Sequence, residues 1–352
     1  MITSDKNIYL DTDCFNDPTD EMREAMRTAN VGHENYAESH DRGDINIYKL
    51  EQLAAKKLGK EASLFILNGS MANIIAIYTL CKPGDKIIMD KDFHMYYGEI
   101  GGIEAICRIE PIYIESDKGI PDISKLLHEY LQAERYGYKI SLICLENPYN
   151  EAGGIITPSN IAKGIYEFAN SASIPIHLDG ARIFNASLSL GIDASELTQY
   201  VDSVMLCLNK GLGAPVGAIL AGTEKFIKQA RINRKLLGGH MRQMGIMAVA
   251  GIIALNNMKE TLNRENAFAK VLGGLLNKIE GIKVDMDAIQ VNKVIADISG
   301  LGISDEEFSK RLREYDIFGG PIFRIPTKIT LDDIYYVVEK IKEIVENLKG
   351  GN

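Results

Sequence analysis

The chain has 352 residues, 46% of them hydrophobic and 25% charged, with a formal charge of −9. Such a chain can bury a large core, and its length suggests about two domains. The acidic balance argues against a surface that collects phosphate backbones, so no nucleic-acid partner is expected. Met1 to Asp13 carries no basic segment followed by an apolar run, and the apolar run near Gly245–Leu255 (about eleven residues) falls short of the roughly twenty that span a bilayer. Cys14, Cys81, Cys107, Cys144 and Cys207 are scattered and form neither a CxxC pair nor a His/Cys cluster of metal-ligand type. A cytoplasmic protein with free thiols, no metal and no membrane partner is the simplest expectation.

In chain order, the first residues read as an extended arm. Pro18 followed by Thr19-Asp20-Glu21-Met22-Arg23 predicts a helix start with acids in its first turn. His40-Asp41-Arg42-Gly43-Asp44 is polar and aperiodic, so residues 1–45 are expected to be arm and loop. From Ile47 to Leu58 apolar residues recur at helical spacing (Leu50, Leu53, Ala54, Leu58). Short β-type runs then alternate with helical stretches: Ala62–Leu67, Lys86–Met89, Ile109–Ile114, Ile140–Leu145, Ile174–Leu178, Ser203–Leu208 and Gly217–Leu220. That alternation predicts an α/β fold with a mostly parallel seven-stranded sheet and helices on both faces, filling a large domain over residues 46–255. Charge-poor strands fit burial on both sides. A long helical pattern from Met244 to Ile279 leads into a small C-terminal α+β domain, residues 256–352. Its predicted elements are Lys293–Ile298, Asp305–Tyr315, Phe323-Arg324-Ile325 and Leu331–Leu348.

Several residues fall where such a sheet gathers its ligands, just after strands. Lys210, in Leu208-Asn209-Lys210-Gly211-Leu212-Gly213, follows a buried-looking strand and precedes a glycine-rich turn. A Schiff base would explain it, and that chemistry needs a lysine whose pKa is lowered by desolvation or nearby cations. The alternative is a strand-end lysine with its amine in solvent, and taken alone that reading is the simpler one. Asp179, in Ile176-His177-Leu178-Asp179-Gly180-Ala181-Arg182, is placed either to meet a protonated pyridine nitrogen or to cap the next helix with Arg182 as its partner. Gly69 and Ser70 open a helix after a strand, a local geometry that binds phosphate, although the run matches neither a Walker motif nor GxGxxG. His94 offers a flat imidazole for stacking or proton transfer, or a structural histidine. Arg242 and Arg324 suit a phosphate and a carboxylate, or intramolecular ion pairs.

As an ordered set these residues resemble the L-threonine aldolases, within the β-eliminating lyase group of pyridoxal-phosphate (PLP) enzymes. The resemblance runs over nearly the whole chain. It rests on Pro18-Thr19 with Met22–Met26, Leu53-Ala54-Ala55 with Gly59–Ala62, Gly69–Asn73, Leu178–Ala186, Lys210–Gly217 and Met241-Arg242-Gln243. It implies the PLP-dependent transferase-like fold (fold type I) and a homodimer or homotetramer with shared active sites. It further implies that Lys210 carries pyridoxal 5'-phosphate, Asp179 holds the pyridine nitrogen, Arg182 lies on the O3′ side and His94 stacks on the ring. By the same resemblance Gly69 and Ser70 bind phosphate, Arg242 reaches in from a neighbouring subunit, and Thr12 and Arg324 meet the substrate carboxylate. The reaction implied is cleavage of a β-hydroxy-α-amino acid to glycine and an aldehyde. The alternatives are β-elimination, racemisation or transamination on the same frame, or a non-catalytic PLP-binding or other phosphate-binding protein.

The chain departs from the family pattern on the substrate side. Glu146-Asn147-Pro148-Tyr149-Asn150 has Tyr149 where the family has a histidine near the β-hydroxyl, Asn209 replaces a serine, Asp11 an arginine, and there is an apparent insertion around His40 to Ile45. Tyr149 is still expected in the substrate pocket. With an unperturbed pKa near 10, tyrosine starts about 4 kcal/mol worse as a neutral-pH base than a group near 7.

Overall fold

The strand that sets the architecture is β5 (Ile140–Glu146), a run of seven residues, all buried. A strand with no exposed position must lie inside a sheet covered on both faces. A computed structural model describes residues 7–14, 16–32, 43–98 and 101–350, with backbone alone at residue 350; residues 40–42 of the expected polar loop lie outside these. Among the described residues the large sheet has seven strands: β2 (Ala62–Ile66), β3 (Lys86–Asp90), β4 (Glu110–Ile114), β5, β6 (Ile176–Asp179), β7 (Ser203–Cys207) and β8 (Ala218–Gly222). Their order across the sheet is β2-β8-β7-β6-β5-β3-β4. Neighbours pair in parallel except that β8 runs antiparallel to both β2 and β7. Six strands therefore point one way, and their carboxyl ends form one edge.

Helices between strands supply the two outer layers, as the alternation predicts. α1 (Asp20–Thr28) begins where Thr19 accepts a hydrogen bond from the Met22 N–H at 3.2 Å. α2 (Ile45–Lys57) is capped by Asp44, whose carboxylate accepts from the N–H groups of Asn46 and Ile47. α10 (Gly245–Leu276) is the long predicted helix. Its first half, through Ala248, Ala254, Leu255 and Leu262, packs into the core of the large domain; its last part, through Ala269, Leu272 and Leu276, packs into a second core.

That second core belongs to the small domain. There β9 (Lys283–Val284), β10 (Lys293–Asp297) and β12 (Ile322–Arg324) form an antiparallel sheet ordered β12-β10-β9. α12 (Leu331–Gly350) covers it with Ile334, Val337, Val338, Ile341, Ile344 and Val345, a 3.6-residue stripe. The amino-terminal arm joins this domain. β1 (Ile8–Tyr9) pairs in parallel with β11 (Ile317–Phe318), and Ile8 and Leu10 are buried in the small core. A two-residue strand has no periodicity to detect, so only its distant partner fixes it. Among the described residues, no helix is long and apolar enough to cross a membrane.

Candidate active site

The carboxyl edge of the large sheet brings the expected residues together. Asp179 ends β6, Glu146 ends β5 directly opposite it in register, and Lys210 follows β7. α3 (Gly69–Leu80) begins at the same edge, after β2. The Asn68 side chain caps it by accepting from the Met71 N–H at 2.8 Å, which leaves the N–H groups of Gly69 and Ser70 with no intrahelical partner. A Cβ added to Gly69 would lie 3.0 Å from Cys207 Sγ, so glycine lets the start of α3 close against the end of β7.

One turn into α3, Asn73 donates to Asp179 Oδ2 at 2.9 Å, and the Ala181 N–H donates to Asp179 Oδ1 at 3.0 Å. Asn73 Oδ1 also meets His177 Nε2 at 3.1 Å, and His177 Nδ1 meets Ser203 Oγ at 2.9 Å. An amide that donates through nitrogen must accept through oxygen, so this network puts the His177 proton on Nε2. Burial holds the His177 pKa down at about 4 against the opposing pull of Asp179, so the ring is neutral. A neutral relay from Ser203 through His177 and Asn73 thus orients a carboxylate only 3% exposed.

Arg182 forms a bidentate pair with Asp13, Nε at 2.6 Å and Nη2 at 2.7 Å, and Nη1 reaches Asn150 Oδ1 at 3.2 Å. Burial raises the Asp13 pKa, but Arg182 outweighs it and holds the carboxyl well below the usual range. Lys210 is half-buried, in a turn closed by the Gly213 N–H on its carbonyl at 2.8 Å and held by Asn16 Nδ2 on the same carbonyl at 2.8 Å. Its pKa departs from the Schiff-base expectation. Desolvation and Arg182 lower it, yet Cys207, Asp179 and Asp13 outweigh them and the net direction is up. Two carboxylates around one amine favour its cation.

His94 opens α4 (His94–Tyr97), where its N–H donates to Glu146 Oε2 at 2.7 Å. Its imidazole packs over Gly98 and edge-on to Tyr97, with ring centroids 5.7 Å apart. Glu146 accepts a second bond from the Asn150 N–H at 2.7 Å. Burial and then Asp179 push its carboxyl up to about 7. Tyr149 is 5% exposed. Its ring lies on Gly119, where any Cβ would fall 1.9 Å from Cγ, and edge-on to Phe93 at 5.8 Å. Burial, reinforced by Asp90, Asp92, Glu146 and Glu151, pushes its phenol above the ordinary value, so its basicity is further from neutral pH than sequence suggests.

On the small-domain side Arg324 donates from Nη1 to the Asp11 carbonyl at 2.7 Å, and its own N–H donates to the Leu10 carbonyl at 2.7 Å. Its pKa is lowered by burial and by Arg182, with Asp13 and Glu151 opposing, so all four charges share one neighbourhood. Thr12 is half-buried beside Asp13, its hydroxyl accepting from the Cys14 N–H at 3.1 Å. Arg242 is exposed, in the bend before α10.

Sequence reasoning missed Asp13, Asn73, Asn150, Asn292 and Lys293. Asn292 Nδ2 bridges Asp13 and the buried Glu265 at 3.3 and 3.0 Å. Lys210 was singled out by its place between a strand and a glycine-rich turn, a setting that Lys293, at the start of a strand, does not share; Asn73 and Asp13 carry no comparable mark.

Comparison with known proteins fits this geometry. The model of the β-eliminating lyase family matches residues 10–299. The chain is 34% identical over 344 residues to low-specificity L-threonine aldolase 1 of Arabidopsis thaliana, covering 95% of each. It is 37% identical over 261 residues to the low specificity L-threonine aldolase of Escherichia coli (strain K12), covering 74% of this chain and 76% of that one. Among solved structures, a threonine aldolase of Leishmania major matches with TM-score 0.80 at 18% identity, over 96% of this chain and 99% of that one. A putative L-allo-threonine aldolase from Listeria monocytogenes matches with TM-score 0.75 at 20% identity, over 96% of each. These two likenesses speak to the fold, the mostly parallel sheet with a small second domain expected from the resemblance. With the family match extending over most of its length, the chain belongs to the β-eliminating lyases, among the threonine aldolases.

Proposed function

We propose that the protein is a lyase that cleaves a β-hydroxy-α-amino acid of the threonine type to glycine and an aldehyde, using pyridoxal 5'-phosphate on Lys210. The observation that carries this reading is the convergence at one sheet edge of Lys210, an oriented Asp179 carboxylate and the open N-terminus of α3. The residues fit the cofactor. Asp179 has its two hydrogen bonds fixed from the side by Asn73 and Ala181 and suits a ring-nitrogen proton. The free N–H groups of Gly69 and Ser70 suit phosphate. When bound, the cofactor supplies an electron sink for the pair released at Cα.

The chain's own residues do the rest. Lys210 would hold the cofactor and would yield to the incoming amine, and Arg182, itself fixed by Asp13, would flank it. His94 would lie against the cofactor and would take the β-hydroxyl proton as the Cα–Cβ bond breaks, a role that the raised phenol of Tyr149 fits poorly. Arg324 binds the α-carboxylate, with Thr12 beside it. Arg242, exposed here, serves the phosphate of a second copy in a homodimer or homotetramer. The five free cysteines fit a reducing cytoplasm.

The test is direct. The holoenzyme incubated with L-threonine or L-allo-threonine should release glycine and acetaldehyde, and borohydride should abolish a visible absorbance band that Lys210→Ala protein lacks. Pyruvate and ammonia from serine, with no aldehyde from either threonine, would replace this reading by β-elimination.

A further inference from the structure

Lys293 opens β10 and is 2% exposed, yet among the described residues no carboxylate pairs with it. Its amine donates to the backbone carbonyl of Asn150 and to Asn150 Oδ1 at 3.4 Å, both neutral acceptors. Directly across the antiparallel ladder stands Arg324, so the two side chains leave the same face of the small sheet as neighbours. The Arg324 guanidinium likewise meets a neutral carbonyl, that of Asp11. The third cation here, Arg182, shares Asn150 Oδ1 with Lys293 but is matched by Asp13. Glu151 acts on both unmatched cations from the exposed side, where Tyr97 and Asn150 already hold it.

The charges therefore do not balance for a simple substrate. Arg182 and Asp13 cancel, and one α-carboxylate answers Arg324. A second buried basic group is left over, and charging it without a counterion is costly. The face of β10 that carries Lys293 and Ile295 also borders a cavity of about 380 Å³ with Ala152 and Gly153.

We propose that Lys293 is a specificity-determining residue that pairs with a second carboxylate, so that the preferred substrate is a β-hydroxy-α-amino acid with an acidic side chain, of the 3-hydroxyaspartate class. This rests on the aldolase reading above. For 3-hydroxyaspartate the Cα–Cβ bond breaks, the β-hydroxyl loses its proton and Cα gains one, giving glycine and glyoxylate with nothing added or removed. Supporting this, burial, Arg324 and Arg182 draw the Lys293 pKa down to about 7, with Glu151 and Asp13 opposing. A bound dicarboxylate would restore the charge, so above neutral pH its binding takes up a proton.

Two measurements on the holoenzyme decide it. The first compares kcat/KM for 3-hydroxyaspartate (glyoxylate released) with that for L-threonine (acetaldehyde released), in wild type and Lys293→Met. The ratio should favour the acidic substrate and fall at least about tenfold in the variant, chiefly through KM. The second titrates succinate calorimetrically at pH 8 in two buffers of different ionisation enthalpy; wild type should take up protons and Lys293→Met should not. Equal losses on both substrates with no buffer dependence would reduce Lys293 to a structural residue and overturn the proposal, while leaving the aldolase reading intact. Lys293-dependent proton uptake without cleavage of either substrate would sustain the acidic-ligand site and sink the aldolase reading instead. The unfolding midpoint and cofactor absorbance of the variant separate misfolding from lost recognition.

Discussion

The two halves of the candidate site are built differently. The half assigned to the cofactor is assembled from short segments that end parallel strands of one sheet: Asp179, Lys210 and the first turn of α3. Backbone hydrogen bonds between buried strands hold those ends in register, so their positions follow once the sheet forms. The half assigned to the substrate is assembled across domains. Asp13 comes from the arm, Asn150 from the loop after β5, Asn292 from the bend before β10, and Lys293 and Arg324 from the small sheet. Its coordinates depend on side-chain charges meeting between separate cores. A sheet edge is a robust platform, whereas an interdomain charge cluster is where substitutions can change specificity without dismantling the enzyme.

Substitutions can break or sharpen this contrast. The largest effect is expected at Lys210→Ala, which should lower aldehyde release by on the order of a thousandfold or more while leaving the unfolding transition close to wild type, since the lysine is held there mainly for chemistry. Asp13→Asn should do the opposite. It strands the buried Arg182 guanidinium and should cost about 3–5 kcal/mol, read from denaturant midpoints at constant m-value. Similar destabilisation at both positions would erase the distinction between the halves.

Glu146, at the boundary between the halves, gives a pH test. Its folded pKa is raised to about 7. The stability linked to its protonated form is therefore fully present below the unfolded value and is lost as pH rises through about 4.5 to 7, at most roughly 3 kcal/mol. His177 has a depressed folded pKa, so its contribution is present above about 6.5 and lost as pH falls through about 4. Glu146→Gln should remove the first slope and keep the second; an unchanged stability–pH curve between 4.5 and 7 would rule Glu146 out as its source. Asn73→Ala, which leaves His177 Nε2 and Asp179 Oδ2 short of a partner, should cost about 1–3 kcal/mol in thermal or chemical unfolding. Thr19→Ala, which belongs to neither half, should cost about 1 kcal/mol through the α1 cap and leave kcat/KM as it is.

The seven strands were legible within one or two residues because most are short, largely apolar runs: the predicted Ile174–Leu178 is observed as Ile176–Asp179, and Gly217–Leu220 as Ala218–Gly222. The antiparallel insertion of β8 between β2 and β7 was not, because apolar runs carry no direction. Lys210, Asp179, Gly69 and Ser70 were legible because their place after a strand is a local property. The downward pKa expected for Lys210 failed because Cys207 and Asp179, with Asp13 adding to them, outweigh burial and Arg182, a balance that only the fold sets. Tyr149 was legible as a substitution, but its burial on Gly119 was not.

By itself the sequence determined what repeats locally: the periodicity of strands and helices, the helix starts after Pro18 and at Gly69, and the motifs that follow strands. Those depend on neighbours within a few residues, where spacing dictates which backbone groups can be satisfied. Tertiary structure alone decided the joining of Ile8 and Leu10 to the small core, the Arg182–Asp13 pair and the placing of Lys293 beside Arg324. Each of these is an interaction between distant segments whose energy exists only once burial has removed the water that would otherwise screen it.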